Sequence, residues 1–180
     1  MTRILGIDPG LRVAGYGCIE GTADQPTIIE AGVIRLVRSS PTPSVPDRLF
    51  ELERDFEDLL DRVEPEAVAI EALFAHQNFP ATAITMAHGR GVMLLCARRR
   101  NLRLIEYKPA AIKNAVAGSG QANKAQIQRS VQARFGLAEP PSPPDVADAL
   151  AVALCAMQRL GLGLDDPVDP ADSAKARQPK

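Results

Sequence analysis

Arg3-Ile4-Leu5-Gly6-Ile7-Asp8-Pro9-Gly10-Leu11-Arg12-Val13-Ala14-Gly15-Tyr16-Gly17-Cys18-Ile19-Glu20 contains two short apolar runs joined by a Pro-Gly turn. Residues 3–8 read as a buried strand and residues 13–20 as a second, with Gly15 and Gly17 on one of its faces. The tight connection through Gly10-Leu11-Arg12 predicts a hairpin. Asp8 closes the first run, so a carboxylate stands at the end of a strand whose other residues are apolar.

Outward from this hairpin the chain alternates. Residues 27–37 continue as a third strand, and a loop rich in Pro and Ser follows at 39–46. Leu49, Leu52, Phe56, Leu59, Leu60 and Val63 then recur at helical spacing until Glu64-Pro65 stops the run. Residues 67–71 form a short strand ending in Glu71. Residues 80–100 read as a helix apolar nearly all round, expected to be buried by its own core on one side and by a second subunit on the other. A strand at 102–107 and helices at 109–116, 123–135 and 145–160 complete the order. Three strands, a helix, a strand, a helix, a strand and more helices make a mixed α/β sheet that starts with an antiparallel hairpin. The strand-helix-strand crossover sets 67–71 parallel to its neighbour. Asp8 and Glu71 are then expected at the carboxyl ends of adjacent strands, where sites in such sheets gather.

The 180 residues suit one domain, taken as residues 1–160, with 161–180 a disordered tail poor in apolar periodicity. No apolar stretch reaches the 18 or so residues that a membrane span requires, and the start meets an acid too early for a signal peptide. Cys18, Cys96 and Cys155 have neither zinc nor disulfide spacing, and with these features a cytoplasmic setting is expected. His76 and His88 are too few for a histidine metal site. The net charge of −1 conceals a division: residues 1–85 carry −7, residues 86–135 carry +9 and residues 136–180 carry −3. The basic block, which includes Arg90, Lys113 and Lys124, is a candidate surface for a polyanion; the plainer alternative is a set of solvated helix faces.

Asp145 and Asp148 are three residues apart, on one face at the start of the last helix, just after a run of prolines. Acids there also suit a helix N-terminus, and Asp8 before Pro9-Gly10 also suits a turn. It is the joint occurrence that points to a site: separate elements each deliver acid to one predicted edge. Carboxylates held together repel unless a cation stands among them, and an all-oxygen set selects a hard divalent ion. Two such ions, roughly 4 Å apart, can flank a scissile phosphate, one activating water and the other steadying the leaving oxygen. No nucleophilic Ser or Cys with a base partner is visible, so direct phosphodiester hydrolysis is the expected chemistry. Lys113 and Lys124 bracket the flexible Gly118-Ser119-Gly120 loop and are candidates to grip phosphate; the loop lacks the Gly-Lys-Ser/Thr ending of a P-loop. Phe74, three residues beyond Glu71, is a candidate to stack on an unpaired base, or else a core residue.

These motifs resemble the RuvC-type Holliday-junction resolvases. The resemblance runs in order through Gly6-Ile7-Asp8-Pro9-Gly10 with Gly15 and Gly17; Ile70-Glu71-Ala72-Leu73-Phe74 with Asn78; Gly89-Arg90-Gly91; Glu106-Tyr107; Lys113 in Ile112-Lys113-Asn114-Ala115-Val116; Gly118-Ser119-Gly120; Lys124-Ala125-Gln126; and Asp145-Val146-Ala147-Asp148-Ala149-Leu150-Ala151. It implies a ribonuclease-H-like fold of the retroviral-integrase superfamily, with a mixed five-stranded sheet flanked by helices. It implies a homodimeric, Mg²⁺-dependent endonuclease that nicks two opposed strands of a four-way junction in recombination and repair, with Mn²⁺ able to substitute. On that reading Asp8, Glu71, Asp145 and Asp148 are catalytic metal ligands; Lys113, Lys124, Phe74 and Arg90 contact DNA; and the RuvA–RuvB branch-migration complex is the partner. Phe79-Pro80 departs from the small or polar residues more usual after Asn78.

Two rivals stand beside this reading. A nucleotide-binding module of the actin and hexokinase type also opens with a strand and an Asp-x-Gly turn, but needs a second domain for which 180 residues leave no room. A non-catalytic four-way-junction binding protein would use the basic block alone.

Overall fold

The structure is a computed structural model and describes residues 2–38, 40–72 and 80–163. Strand β1 (Thr2–Asp8) turns through Pro9–Arg12 into β2 (Val13–Gly21), and β3 (Pro26–Arg35) completes the meander. Helix α1 (Val45–Val63), strand β4 (Ala67–Glu71), helix α2 (Pro80–Arg99) and strand β5 (Arg103–Tyr107) follow. The described chain ends in helices α3 (Pro109–Ala117), α4 (Lys124–Phe135) and α5 (Pro144–Gly161). The sheet order is β3-β2-β1-β4-β5. β1 is antiparallel to β2 and parallel to β4, and β4 is parallel to β5. The expected mixed five-stranded sheet is therefore present, and most element boundaries fall within a residue or two of those read from the sequence. Helix α1 differs most: it starts at Val45, inside the expected loop, because the Ser44 side chain accepts from the Asp47 amide and Pro46 suits the first turn.

Alternation along the strands sorts the sheet into two faces. Ile4, Ala67, Ala69 and Ile19 are buried with α3, α4 and α5; Leu5, Ile7, Val68 and Ile70 are buried with α1 and α2. By the same two-residue period Gly6 and Asp8 share the face of Ile4, and Glu71 shares the face of Ala67 and Ala69. Both acids thus project on the side covered by α5. That helix can lie close because the strands under it carry glycine. A Cβ on Gly6 would stand 2.3 Å from the Ala149 carbonyl oxygen, and one on Gly15 would stand 2.1 Å from that of Asp145. The alanines of α5 complete the close contact, with Ala147, Ala149, Ala151, Ala153 and Ala156 all buried.

Helix α2 is only half covered. Gly89, Met93, Cys96 and Ala97 are buried against the core, whereas Ile84 is 58% exposed and Leu95 is 48% exposed. The expected burial on both sides therefore holds on one side within a single chain, and the other presents an apolar stripe. Among the described residues no helix is long and apolar enough to cross a membrane.

Candidate active site

The first two acids are placed by strand register. Ile7 pairs with Ile70 across the parallel β1–β4 ladder, and Asp8 and Glu71 are the next residue on each strand. The chain after Glu71 is still held, because the Ala72 amide donates to the Tyr107 carbonyl at 2.8 Å. The other two acids come from α5, whose N-terminal end lies over β2 so that the Asp145 backbone touches Gly15, the register partner of Asp8. Asp145 lies in the first turn of α5 and Asp148 in the second. The helix begins at Pro144, one residue before the start read from the sequence. Neither acid supplies the cap: Pro143 occupies that position without a side-chain hydrogen bond.

These carboxylates act on one another. The Asp8 pKa is pushed up to about 7, first by burial and then by the negative charges of Asp148, Glu71 and Asp145, with Lys124 opposing. Glu71 is raised by burial and by Asp148, and lowered by Lys113 and Lys124. The Lys124 ammonium lies 2.9 Å from Asp148 Oδ2, and that contact, together with Asp145 and Asp8, raises its pKa. The two lysines singled out in the sequence therefore flank the acidic group. Among the described residues no three side chains are closed around a common point at metal-ligand distance. Four carboxylates with only Lys113 and Lys124 as counter-charges repel, so an open arrangement is the expected one. The donor set fits a hard divalent ion: every acid contributes oxygen alone, and the cluster shows the excess negative charge that such an ion removes.

A cleft opens beside the acids, lined by Asp8, Gly10, Arg12, Arg48, Thr82, Met86 and Asp145 among others. Arg48 and Arg12 were given no role by the sequence pattern. The helical run was read only from Leu49, so nothing in the sequence marked Arg48, which the structure makes the fourth residue of α1. Arg90 does not line this cleft: its side chain is 15% exposed and pairs with Glu106 at 2.6 Å, tying α2 to β5. Phe74 and Asn78 lie outside the described residues, as do residues 164–180 of the expected tail.

The basic block is less open than its +9 suggests. Arg99 pairs with Glu53, and Arg100 pairs with Glu57 and Asp61, so acids of α1 neutralise the end of α2. Folding brings the negative first half of the chain against part of the positive block, which a count along the sequence does not show. Lys124 instead pairs with Asp148, and Lys113 acts on Glu71.

Comparison with known proteins places the chain. The sequence profile described as crossover junction endodeoxyribonuclease RuvC matches residues 4–156. The chain is 45% identical over 155 residues to the crossover junction endodeoxyribonuclease RuvC of Moorella thermoacetica, covering 84% of this chain and 89% of that protein. It is 44% identical over 158 residues to the corresponding protein of Streptomyces griseus, covering 87% of this chain and 76% of that one. Among solved structures it superposes with a TM-score of 0.83 on T. thermophilus RuvC in complex with a Holliday junction substrate, at 30% identity, covering 93% of this chain and all of that one. A yeast mitochondrial Holliday junction resolvase shares the fold, with a TM-score of 0.65 at 16% identity. The ordered motifs, the ribonuclease-H-like sheet and these matches agree: the chain belongs to the RuvC family of crossover junction endodeoxyribonucleases.

Proposed function

We propose that this chain resolves four-way DNA junctions by paired, symmetric nicks, hydrolysing phosphodiesters with divalent cations held by Asp8, Glu71, Asp145 and Asp148. The observation that carries this reading is that β1, β4 and α5 deliver carboxylates to one side of the sheet, where burial first, and then the charges of Asp148, Glu71 and Asp145, push the Asp8 pKa up to about 7. Mg²⁺, two ions per site, is the proposed cofactor, and Mn²⁺ is the proposed substitute. When bound, such ions supply Lewis-acid stabilisation and a water of lowered pKa. The residues do the rest. The four carboxylates fix where positive charge sits relative to the cleft. Lys124, which pairs with Asp148, and Lys113, whose charge acts on Glu71, would hold DNA phosphates. Phe74 is proposed to contact the opened junction. Arg90, which pairs with Glu106 at the end of β5, is proposed to contact DNA as well.

A four-way junction is nearly two-fold symmetric, so paired nicks need two copies of the site. The exposed apolar stripe of α2, with Ile84 and Leu95, supports a homodimer built across that helix. The RuvA–RuvB complex is the proposed partner. A single catalytic domain over residues 1–160 accords with the sheet and its helices.

The test is a synthetic four-way junction incubated with protein and Mg²⁺. Paired, ligatable nicks with 5′-phosphate and 3′-hydroxyl ends are expected, and EDTA should abolish them while leaving junction binding. Asp8→Asn should bind and not cut. Cutting that persists in this variant would remove Asp8 from the ligand set. Binding without nicks in any metal would leave a junction-binding protein without catalysis.

A further inference from the structure

Arg48 is the one charged side chain that is buried among the described residues, at 8% exposed. It has no carboxylate partner there. Its Nη1 donates to the Leu11 carbonyl at 2.8 Å, and its Nε donates to the Ser44 carbonyl at 3.4 Å. Taking a guanidinium out of water costs several kcal/mol, and an anion is its usual compensation. Here two backbone carbonyls take that place. The position is also unfavourable for a cation, since Arg48 lies in the first turn of α1. A residue kept there against burial and against the helix dipole is held for its hydrogen-bonding geometry.

What it grips is the turn that follows Asp8. Leu11 is 2% exposed and sits between Asp8 and β2. The same turn is held on its other side by the Leu36 amide, which donates to the Arg12 carbonyl at 3.0 Å. Gly89 of α2 lies against the Leu11 side chain. Arg48 is a lining residue of the cleft that Asp8 and Asp145 share, and a guanidinium has donors beyond the two used here. Both printed contacts of Arg48 are to backbone carbonyls, so it reaches Asp8 through the turn.

We infer that Arg48 is a positioning residue for the nuclease reaction: its fork to Leu11 and Ser44 locks the Pro9–Arg12 turn against α1 and so fixes the carboxylate of Asp8 at the cleft. The inference rests on the proposed metal-dependent cleavage. Groups that orient a metal-binding carboxylate typically change activity by about 10- to 100-fold when removed.

The test compares Arg48→Met, which keeps the length of the side chain and removes its donors, with Arg48→Lys, which keeps one ammonium able to reach one carbonyl. Single-turnover cleavage of a four-way junction is measured in Mg²⁺, junction affinity in EDTA, and folding by thermal melting. For Arg48→Met a fall of about 10- to 100-fold in cleavage rate is expected, with junction affinity within about twofold of wild type. Arg48→Lys should lie between the two. If Arg48→Met does not fold, a reduced rate at unchanged affinity in Arg48→Lys supports the inference, and a wild-type rate in Arg48→Lys overturns it. A wild-type rate in folded Arg48→Met overturns it, as does a loss of affinity as large as the loss of rate, which would make Arg48 a DNA contact. If wild-type protein cuts no junction, the functional reading has failed. If wild-type protein cuts and Asp8→Asn does not, yet Arg48→Met cuts normally, this inference alone has failed.

Discussion

The close approach of α5 to the sheet is the feature most directly open to attack, and Gly15→Ala attacks it at the acids. The new Cβ would lie 2.1 Å from the Asp145 carbonyl oxygen and 2.6 Å from its carbonyl carbon. A Cβ does not approach closer than 3.0 Å, so the helix end must withdraw by at least about 0.9 Å. The obstacle is backbone and cannot rotate away, so Asp145 moves, and Asp148 one turn on moves with it. Overpacking of this kind costs about 1–3 kcal/mol of stability. A displacement near 1 Å in a reacting assembly costs about 100-fold in rate, equivalent to about 2.7 kcal/mol of activation energy. Gly17→Ala on the same strand is the comparison, because its Cβ first meets the Leu150 side chain at 2.7 Å, which can turn, and does so further from the cleft. Both variants should melt below wild type. At a temperature where both are folded, Gly15→Ala should cut a four-way junction about 100-fold more slowly, while Gly17→Ala should lose less than tenfold. Gly15→Ala cutting as fast as Gly17→Ala would refute the claim that this glycine sets the position of the α5 acids.

The Asp8 carboxyl makes the metal-free protein sensitive to pH. Its pKa is about 7 in the native state against an ordinary 3.8, so between those values the native state holds a proton that the unfolded chain has released, and stability falls as pH rises from about 4 through 7. Urea melts in EDTA should show this fall for wild type and much less of it for Asp8→Asn, which should be more stable at pH 8 by roughly 1–4 kcal/mol at 1.36 kcal/mol per pKa unit; equal stability at pH 8 would contradict the burial of charge at Asp8. Removing the ammonium in Lys124→Met leaves Asp148 without its partner and takes away a charge that lowers Asp8 and Glu71, so the rising limb of cleavage against pH should move to higher pH, read from single-turnover rates between pH 6 and 9. Phe56, fully buried between α1 and the sheet, reports on the core alone: Phe56→Ala should lose about 3–5 kcal/mol in chemical denaturation and, where still folded, keep the wild-type rate per folded molecule.

Much of this architecture was legible in the chain. The apolar run from Ile4 closed by Asp8, the Pro9-Gly10 turn and the helical spacing from Leu49 to Val63 are local signals, and local signals place strands and helices to within a few residues. Glu71 at the end of an apolar strand, and two acids spaced three apart on α5, were likewise visible as departures from a hydrophobic pattern. The ordered motifs extended that reading to a family and its chemistry. The charge count overstated how much of the basic block is open, for a physical reason: Arg99 and Arg100 meet Glu53, Glu57 and Asp61 only once α2 lies on α1, and pairing across sequence distance leaves no local trace.

The sequence by itself determined which residues are acidic and which ends of which elements they occupy, because those follow from residue type and from periodicity along one segment. Only the tertiary structure decided that Asp8 and Glu71 share the α5 side of the sheet, that Gly15 lets Asp145 come down beside them, that Lys124 is the counter-charge on Asp148, and that Arg48 holds the turn behind Asp8. Each of these depends on how far one element stands from another, and that distance is set by side chains packed across the whole core.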